Sequence, residues 1–106
     1  MNRAKTAAGI LLNCPLLKGP PRTSGMRGGA VKLKPGESVG WNSTGEHEEE
    51  LVILHGKGAA NIDGQADLPV HEKMLAYIPS RTKHNVTNTG RDTLEYVWVV
   101  APIRGK

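Results

Sequence analysis

The sequence is poor in several things at once. Its 106 residues include one cysteine, two Trp, two Tyr and no Phe. With Cys14 alone, no intrachain disulfide forms and an oxidising compartment is not implied. No apolar run approaches the ~20 residues that cross a bilayer as a helix, so no membrane partner is expected. No acidic residue precedes Glu37, whereas seven Lys or Arg fall in that same stretch. A basic arm of this kind points towards nucleic acid. It holds no aromatic side chain to stack a base, however, and its charges are scattered, so a nucleic-acid partner is not expected. The opening MNRAKTAAGILLNCPLL has the basic-then-apolar order of a signal peptide. It lacks a small-x-small cleavage site, and Asn13 before Cys14 is a poor lipoprotein signal. Residues 9–17 are therefore read as a strand and the protein as cytoplasmic, with Cys14 a small buried apolar residue.

Glycine and proline are plentiful, at 13 and 7 residues. No helical period survives along the chain, whereas short apolar or alternating runs recur between turn signals. Strands are expected at 29–34, 37–43, 47–55, 59–63, 74–79, 84–88 and 94–102, with the 68–73 stretch LPVHEK as a loop. Eight or nine short strands at this spacing predict one all-β domain over 1–106, a small antiparallel sandwich or barrel whose ends at 1–8 and 103–106 fray. The sequons at 42–44 and 85–87 carry no weight without secretion.

The segment STGEHEEELVILHGKG at 43–58 poses a physical problem, because Glu46, Glu48, Glu49 and Glu50 are crowded at the start of an apolar strand. Strand alternation divides them. Residues 47, 49, 51 and 53 share one face, and 48, 50, 52 and 54 the other. Leu51 and Ile53 mark the first face as interior, which puts His47 and Glu49 inside and Glu48 and Glu50 outside. A His and a carboxylate two apart on one strand face can hold a divalent cation together. Two strands are apolar on both faces: 49–55, and 94–100 with Leu94, Tyr96, Trp98 and Val100 against Val97 and Val99. A single barrel layer buries only its inner face, so the outer one calls for a cover. A homodimer, with 9–17 pairing across it, is the economical solution.

The spacing Gly36-x5-Asn42-x-Thr44-x4-Glu49-x6-Gly56 resembles the first motif of the cupins. Pro79-x4-His84-x3-Asn88 resembles the second, with Arg81 where Gly is usual. The likeness runs over roughly 30–102 and implies a double-stranded β-helix, or jelly-roll, barrel. In cupins two His and the Glu of the first motif and the His of the second bind a metal inside the barrel. Carried over by position, Glu49 and His84 are kept, while Asn42 and Thr44 stand at the His-x-His positions. Asn lends at most a weak oxygen ligand, and a neutral Thr hydroxyl a poor one. His47, on Glu49's face, is the residue that would repair the loss. The expected metal set is thus His47, Glu49 and His84, with Asn42 as a weaker member and zinc, iron, manganese or nickel as the ion.

Around that set, Trp41, Asn42 and Thr44 are expected to line a pocket for a small oxygen-rich ligand such as a sugar or organic acid. Whether a reaction follows is left open, since cupins span dioxygenases, isomerases, lyases and binders. The residues also allow a metal-free binding or sensory module in which Glu49 and His84 form a hydrogen-bonded pair. They equally allow an exposed His47, a Glu49 in a solvated acidic run and a His84 that only secures a strand end. His55 and His71 are expected at the surface, and Trp41 and Trp98 in the core or an interface.

Overall fold

The computed structural model describes residues 17–18 and 25–103. Nine strands follow one another: β1 (Leu17–Lys18), β2 (Arg27–Leu33), β3 (Asn42–Ser43), β4 (His47–His55), β5 (Lys57–Ile62), β6 (Leu68–His71), β7 (Leu75–Ile78), β8 (Lys83–Asn88) and β9 (Leu94–Pro102). They form two antiparallel sheets, one ordered β1-β2-β9-β4-β7 and the other β3-β8-β5-β6. The all-β expectation holds, and among the described residues no helix is long and apolar enough to cross a membrane.

Two details differ from the expected strands, and a third expected strand falls almost wholly outside the described residues. The 68–71 stretch is an edge strand rather than a loop, pairing with β5 from Lys57↔His71 to Ala60↔Leu68. Pro69 hid it, because a proline inside a run argues against a central strand but is tolerated at an edge. The expected 37–43 strand shrinks to Asn42–Ser43 and an isolated bridge between Ser38 and Thr87. Of the expected 9–17 strand only Leu17 lies within the described residues, in β1; Cys14 lies outside them.

Alternation along β4 sorts the residues as the sequence implied. Leu51 and Ile53 are buried, Glu48 and Glu50 exposed, and His47 and Glu49 intermediate. Leu51, Ile53, Ile78, Leu94, Val70 and Val86 are the largest fully buried apolar side chains. Each contributes roughly 1.5–3 kcal/mol by leaving water. Gly58 is tightly packed within and between the sheets: a Cβ there would overlap the Thr87 carbonyl oxygen of the neighbouring strand and meet Leu94 Cδ2 of the other sheet at 2.8 Å. The outer face of the five-stranded sheet remains apolar and open. Leu75 is 59 % exposed and Tyr77 57 %, beside the half-buried Val52, Val97 and Val99.

The crowded glutamates find separate partners. Arg81 Nη2 donates to Glu46 at 2.8 Å, and the Tyr77 hydroxyl donates to Glu48 at 2.8 Å on the outer face. Arg81 itself has φ 54, which explains why glycine suits its place in the second motif. Asn88, the last residue of that motif, is 1 % exposed and wholly structural. Its side-chain nitrogen donates to the carbonyls of Leu33 and Asp92, both at 2.8 Å, and its oxygen accepts from the Gly90 amide at 2.8 Å. It thereby fixes the β8–β9 turn against the end of β2. Replacing Asn88 by Ala removes the partner of one buried and two part-buried backbone groups, so Asn88→Ala should cost about 2–3 kcal/mol, read as a lower denaturant midpoint with unchanged m.

Candidate functional site

Two turns carry the candidate site, and they are locked to each other. The Thr44 hydroxyl donates to the Pro79 carbonyl at 2.7 Å and accepts from the Thr82 amide at 3.0 Å. The Thr44 amide donates to the Thr82 carbonyl at 3.1 Å, and the Arg81 amide to the Gly45 carbonyl at 2.8 Å. The β3–β4 and β7–β8 connections are therefore held as one unit, and β3 pairs with β8 so that Asn42 faces His84. Thr44 spends its only proton and one lone pair on this clamp. It can shape the site but has little left to give a ligand.

Glu49 from the five-stranded sheet and His84 from the four-stranded sheet meet between them. His84 Nε2 lies 3.1 Å from Glu49 Oε1, with the side chains only 5 % and 12 % exposed. The other ring nitrogen, Nδ1, lies 3.1 Å from the Thr82 carbonyl oxygen. A carbonyl only accepts, so Nδ1 carries a proton, and the Nε2–carboxylate contact shares one more between its two atoms. The hydrogen bond with Glu49 raises the His84 pKa above its ordinary 6.5, against the opposing effect of burial, and the Thr82 carbonyl and the Glu49 charge add to the rise. When the ring is protonated, the pair is an imidazolium against a carboxylate, neutral as a unit.

The pair borders a cavity of about 370 Å³. Its walls include Arg27, Asn42, Ser43, Thr44, Tyr96 and Trp98, with valines from several strands. Burial, and secondarily the charge of Glu49, raise the Tyr96 phenol pKa well above 10, so this hydroxyl stays protonated. Arg27 and Tyr96 were not singled out in the sequence as site residues. For Tyr96 the signal was there: its parity with Leu94 and Trp98 on β9 aims it inward, and a buried phenol needs a polar neighbour. Trp41, expected at the pocket, is 51 % exposed and lies outside the cavity wall; Trp98 occupies that wall instead. His55 and His71 are exposed. Asn85, in the second sequon, is buried and bonded to Asn61 and to the Gly40 amide, which withdraws it from modification.

The donor set can be weighed against a metal. Glu49 and His84 converge, and a backbone carbonyl orients the His84 ring as metal-binding imidazoles require. His47 does not join them. It opens β4 opposite Pro102, two residues from Glu49, and is absent from the cavity wall. Among the described residues no three His, Cys, Asp or Glu side chains gather as a metal site would need. Two strong donors and the weak oxygen of Asn42 fall short of the three protein ligands of an open catalytic site. The residues present do not fit a tightly held ion.

The comparisons agree with the fold. Residues 29–100 match the model of the cupin domain family. A curated relative, the oxalate-binding protein of Thermotoga maritima, is 33 % identical over 70 residues, which are 66 % of this chain and 57 % of that protein. The chain thus matches little more than half the length of that relative. Among solved structures, the cupin domain of Schizosaccharomyces pombe Cnp3 superposes with a TM-score of 0.75 at 16 % identity, over 85 % of this chain and 63 % of that one. A predicted oxalate decarboxylase from Thermotoga maritima gives 0.65 at 22 % identity, over 84 % and 90 %. A cupin with a double-stranded β-helix fold from Methanocaldococcus jannaschii gives 0.68 at 23 % identity, over 73 % and 70 %.

The raised His84 pKa makes a prediction with a definite sign. The folded state binds this proton more tightly than the unfolded chain. The stabilisation is therefore fully present below about pH 6.5 and is lost as pH rises through the higher folded pKa. Thermal unfolding between about pH 5 and 9 should show a decline at the alkaline end that Glu49→Gln flattens. Parallel curves for the two proteins would contradict the ion pair. In its double-stranded β-helix, its paired motifs and its match over 29–100, this chain belongs to the cupin domain family.

Proposed function

We propose that this protein is a small-molecule-binding cupin whose pocket works without a resident metal. The observation that carries the reading is the Glu49–His84 pair, 3.1 Å apart and nearly sealed from water, at the edge of a cavity of about 370 Å³. That volume lies at the lower end of small-ligand pockets. Both His84 nitrogens are taken, by Glu49 and by the Thr82 carbonyl, so the pair offers the remaining lone pairs of the Glu49 carboxylate, which suits a ligand bearing a hydroxyl. The relative named an oxalate-binding protein supports a small oxygen-rich ligand of the organic-acid kind. Asn42 and Ser43, at the exposed end of β3 and on the cavity wall, supply further polar contacts. No reaction is assigned. The metal set of His47, Glu49 and His84 that the motif resemblance implied is left out of this reading, because only two of its members converge.

The test is thermal unfolding of chelator-free protein with zinc, iron, manganese or nickel, and separately with a panel of sugars and organic acids. The reading predicts no metal-dependent rise in Tm and a rise with at least one organic ligand, lost in His84→Asn. Stabilisation by a metal that vanishes in Glu49→Gln would overturn it in favour of a metal site.

We also propose that a second copy of the chain covers the outer face of the five-stranded sheet. Leu75, Tyr77, Val97 and Val99 leave an apolar surface there that a monomer would expose to water. Light scattering on the full chain should give twice the 11.4 kDa chain mass, and Tyr77→Lys should shift it to the monomer. A monomeric wild-type protein at micromolar concentration would contradict the dimer.

A further inference from the structure

Arg27 gives the pocket a direction and a charge. It lies on β2 opposite Val100 of β9, and Val100 lies in turn opposite Glu49 of β4. Residues in register across neighbouring strands project to the same face, so Arg27, Val100 and Glu49 form one inward row. Two strand spacings set the Arg27 and Glu49 backbones about 10 Å apart. Arg27 is exposed and forms part of the cavity wall, and no carboxylate among the described residues pairs with it. The other ionisable groups of the wall, Glu49 and His84, are bonded to each other at 3.1 Å. The pocket thus has the guanidinium of Arg27 at one end and a hydrogen-bonded pair at the other.

The wall also has an apolar part, made by Val31, Val39, Val86, Val100 and Trp98, beside the polar Asn42, Ser43 and Thr44. We propose that Arg27 is the specificity-determining residue of this pocket and that the ligand is a small monocarboxylate with an apolar body and a hydroxyl group at its far end. The guanidinium fork takes the carboxylate in a bidentate contact. The body lies against the valines and Trp98, and the far hydroxyl donates to the Glu49 carboxylate. A dianion such as oxalate fits poorly here. One Arg neutralises one carboxylate, and the second would be set beside Glu49 with no cation of its own. Phosphate, which has no apolar part, leaves the valine wall unused.

This inference rests on the metal-free pocket proposed above, and its test separates the two. Calorimetric titration would compare 4-hydroxybenzoate and 3-hydroxybutyrate with their neutral amides, with oxalate and with inorganic phosphate, on wild-type protein and on Arg27→Gln. Wild type should bind at least one of the two acids about tenfold or more tighter than its amide, oxalate or phosphate. In Arg27→Gln that acid should fall to the level of its amide, while amide affinity stays unchanged. Arg27 is a rim residue, so the variant's Tm should match wild type, which checks that the fold is intact. Acids and amides that bind wild type equally would overturn the role of Arg27 and leave the pocket reading standing, as would a preference that survives in Arg27→Gln. Oxalate or phosphate binding more tightly than both monoacids would overturn the ligand class. No binding by any of them would overturn the inference, and the pocket reading falls with it only if the wider panel of sugars and organic acids also gives no rise in Tm.

Discussion

A carboxylate from one sheet and an imidazole from the other meet inside the sandwich, and much of the surrounding structure serves that contact. An unpaired charge in so dry a place costs several kcal/mol, so neither group would be tolerated without its partner. Glu49 reaches the interior because it shares its strand face with Leu51 and Ile53. His84 reaches it from β8, alongside Val86, and the Thr82 carbonyl fixes which way its ring turns. The charges satisfy one another and, as a pair, remain able to bond to something in the cavity. Few other polar arrangements could be both buried and open to a ligand.

The turns that bring the pair together account for the departures in the motifs. Where the first motif usually has its second histidine, Thr44 supplies a hydroxyl that bridges Pro79 and Thr82 across the two connections. What was a ligand position has become a structural one. The usual glycine of the second motif is Arg81, which accepts a left-handed backbone and adds an ion pair to Glu46. An exposed pair of this kind is worth little, on the order of 0–1 kcal/mol, so it offsets only part of the backbone strain. Asn88 anchors the far end of β8 from full burial. Both motifs thus survive as architecture more completely than as a metal site.

The sequence revealed the parts governed by strand alternation and by local turn chemistry. The inward side of β4, the two-faced character of β9 and the division of the glutamates all follow from a period of two. Glu49 and His84 were marked by motif spacing, and the structure brings them within hydrogen-bond distance. The third expected metal ligand, His47, was placed by parity alone, which fixes a face but not how far along it a side chain can reach. Trp41 was favoured at the pocket because the mouth of a barrel often holds an aromatic, yet Trp98 fills that role from the opposite sheet. Arg27 was counted among scattered basic residues. Its relation to Glu49 runs through two strand pairings, β2 with β9 and β9 with β4, and no local pattern reports a contact between residues 27, 49 and 100. The β6 strand was hidden by Pro69 for the reason that makes it an edge.

As a reading of chemistry, the account turns on the protonation of a single ring. If His84 is held as an imidazolium by Glu49, the site is a neutral hydrogen-bonding pair; if the ring is held neutral, Nε2 is a free ligand atom and a metal regains its claim. Proton and nitrogen NMR of the His84 ring, followed through a pH titration, reads this directly. The account predicts a midpoint above the ordinary value of about 6.5 in the wild-type protein, falling in Glu49→Gln. A midpoint at or below that value, unchanged by Glu49→Gln, would contradict it.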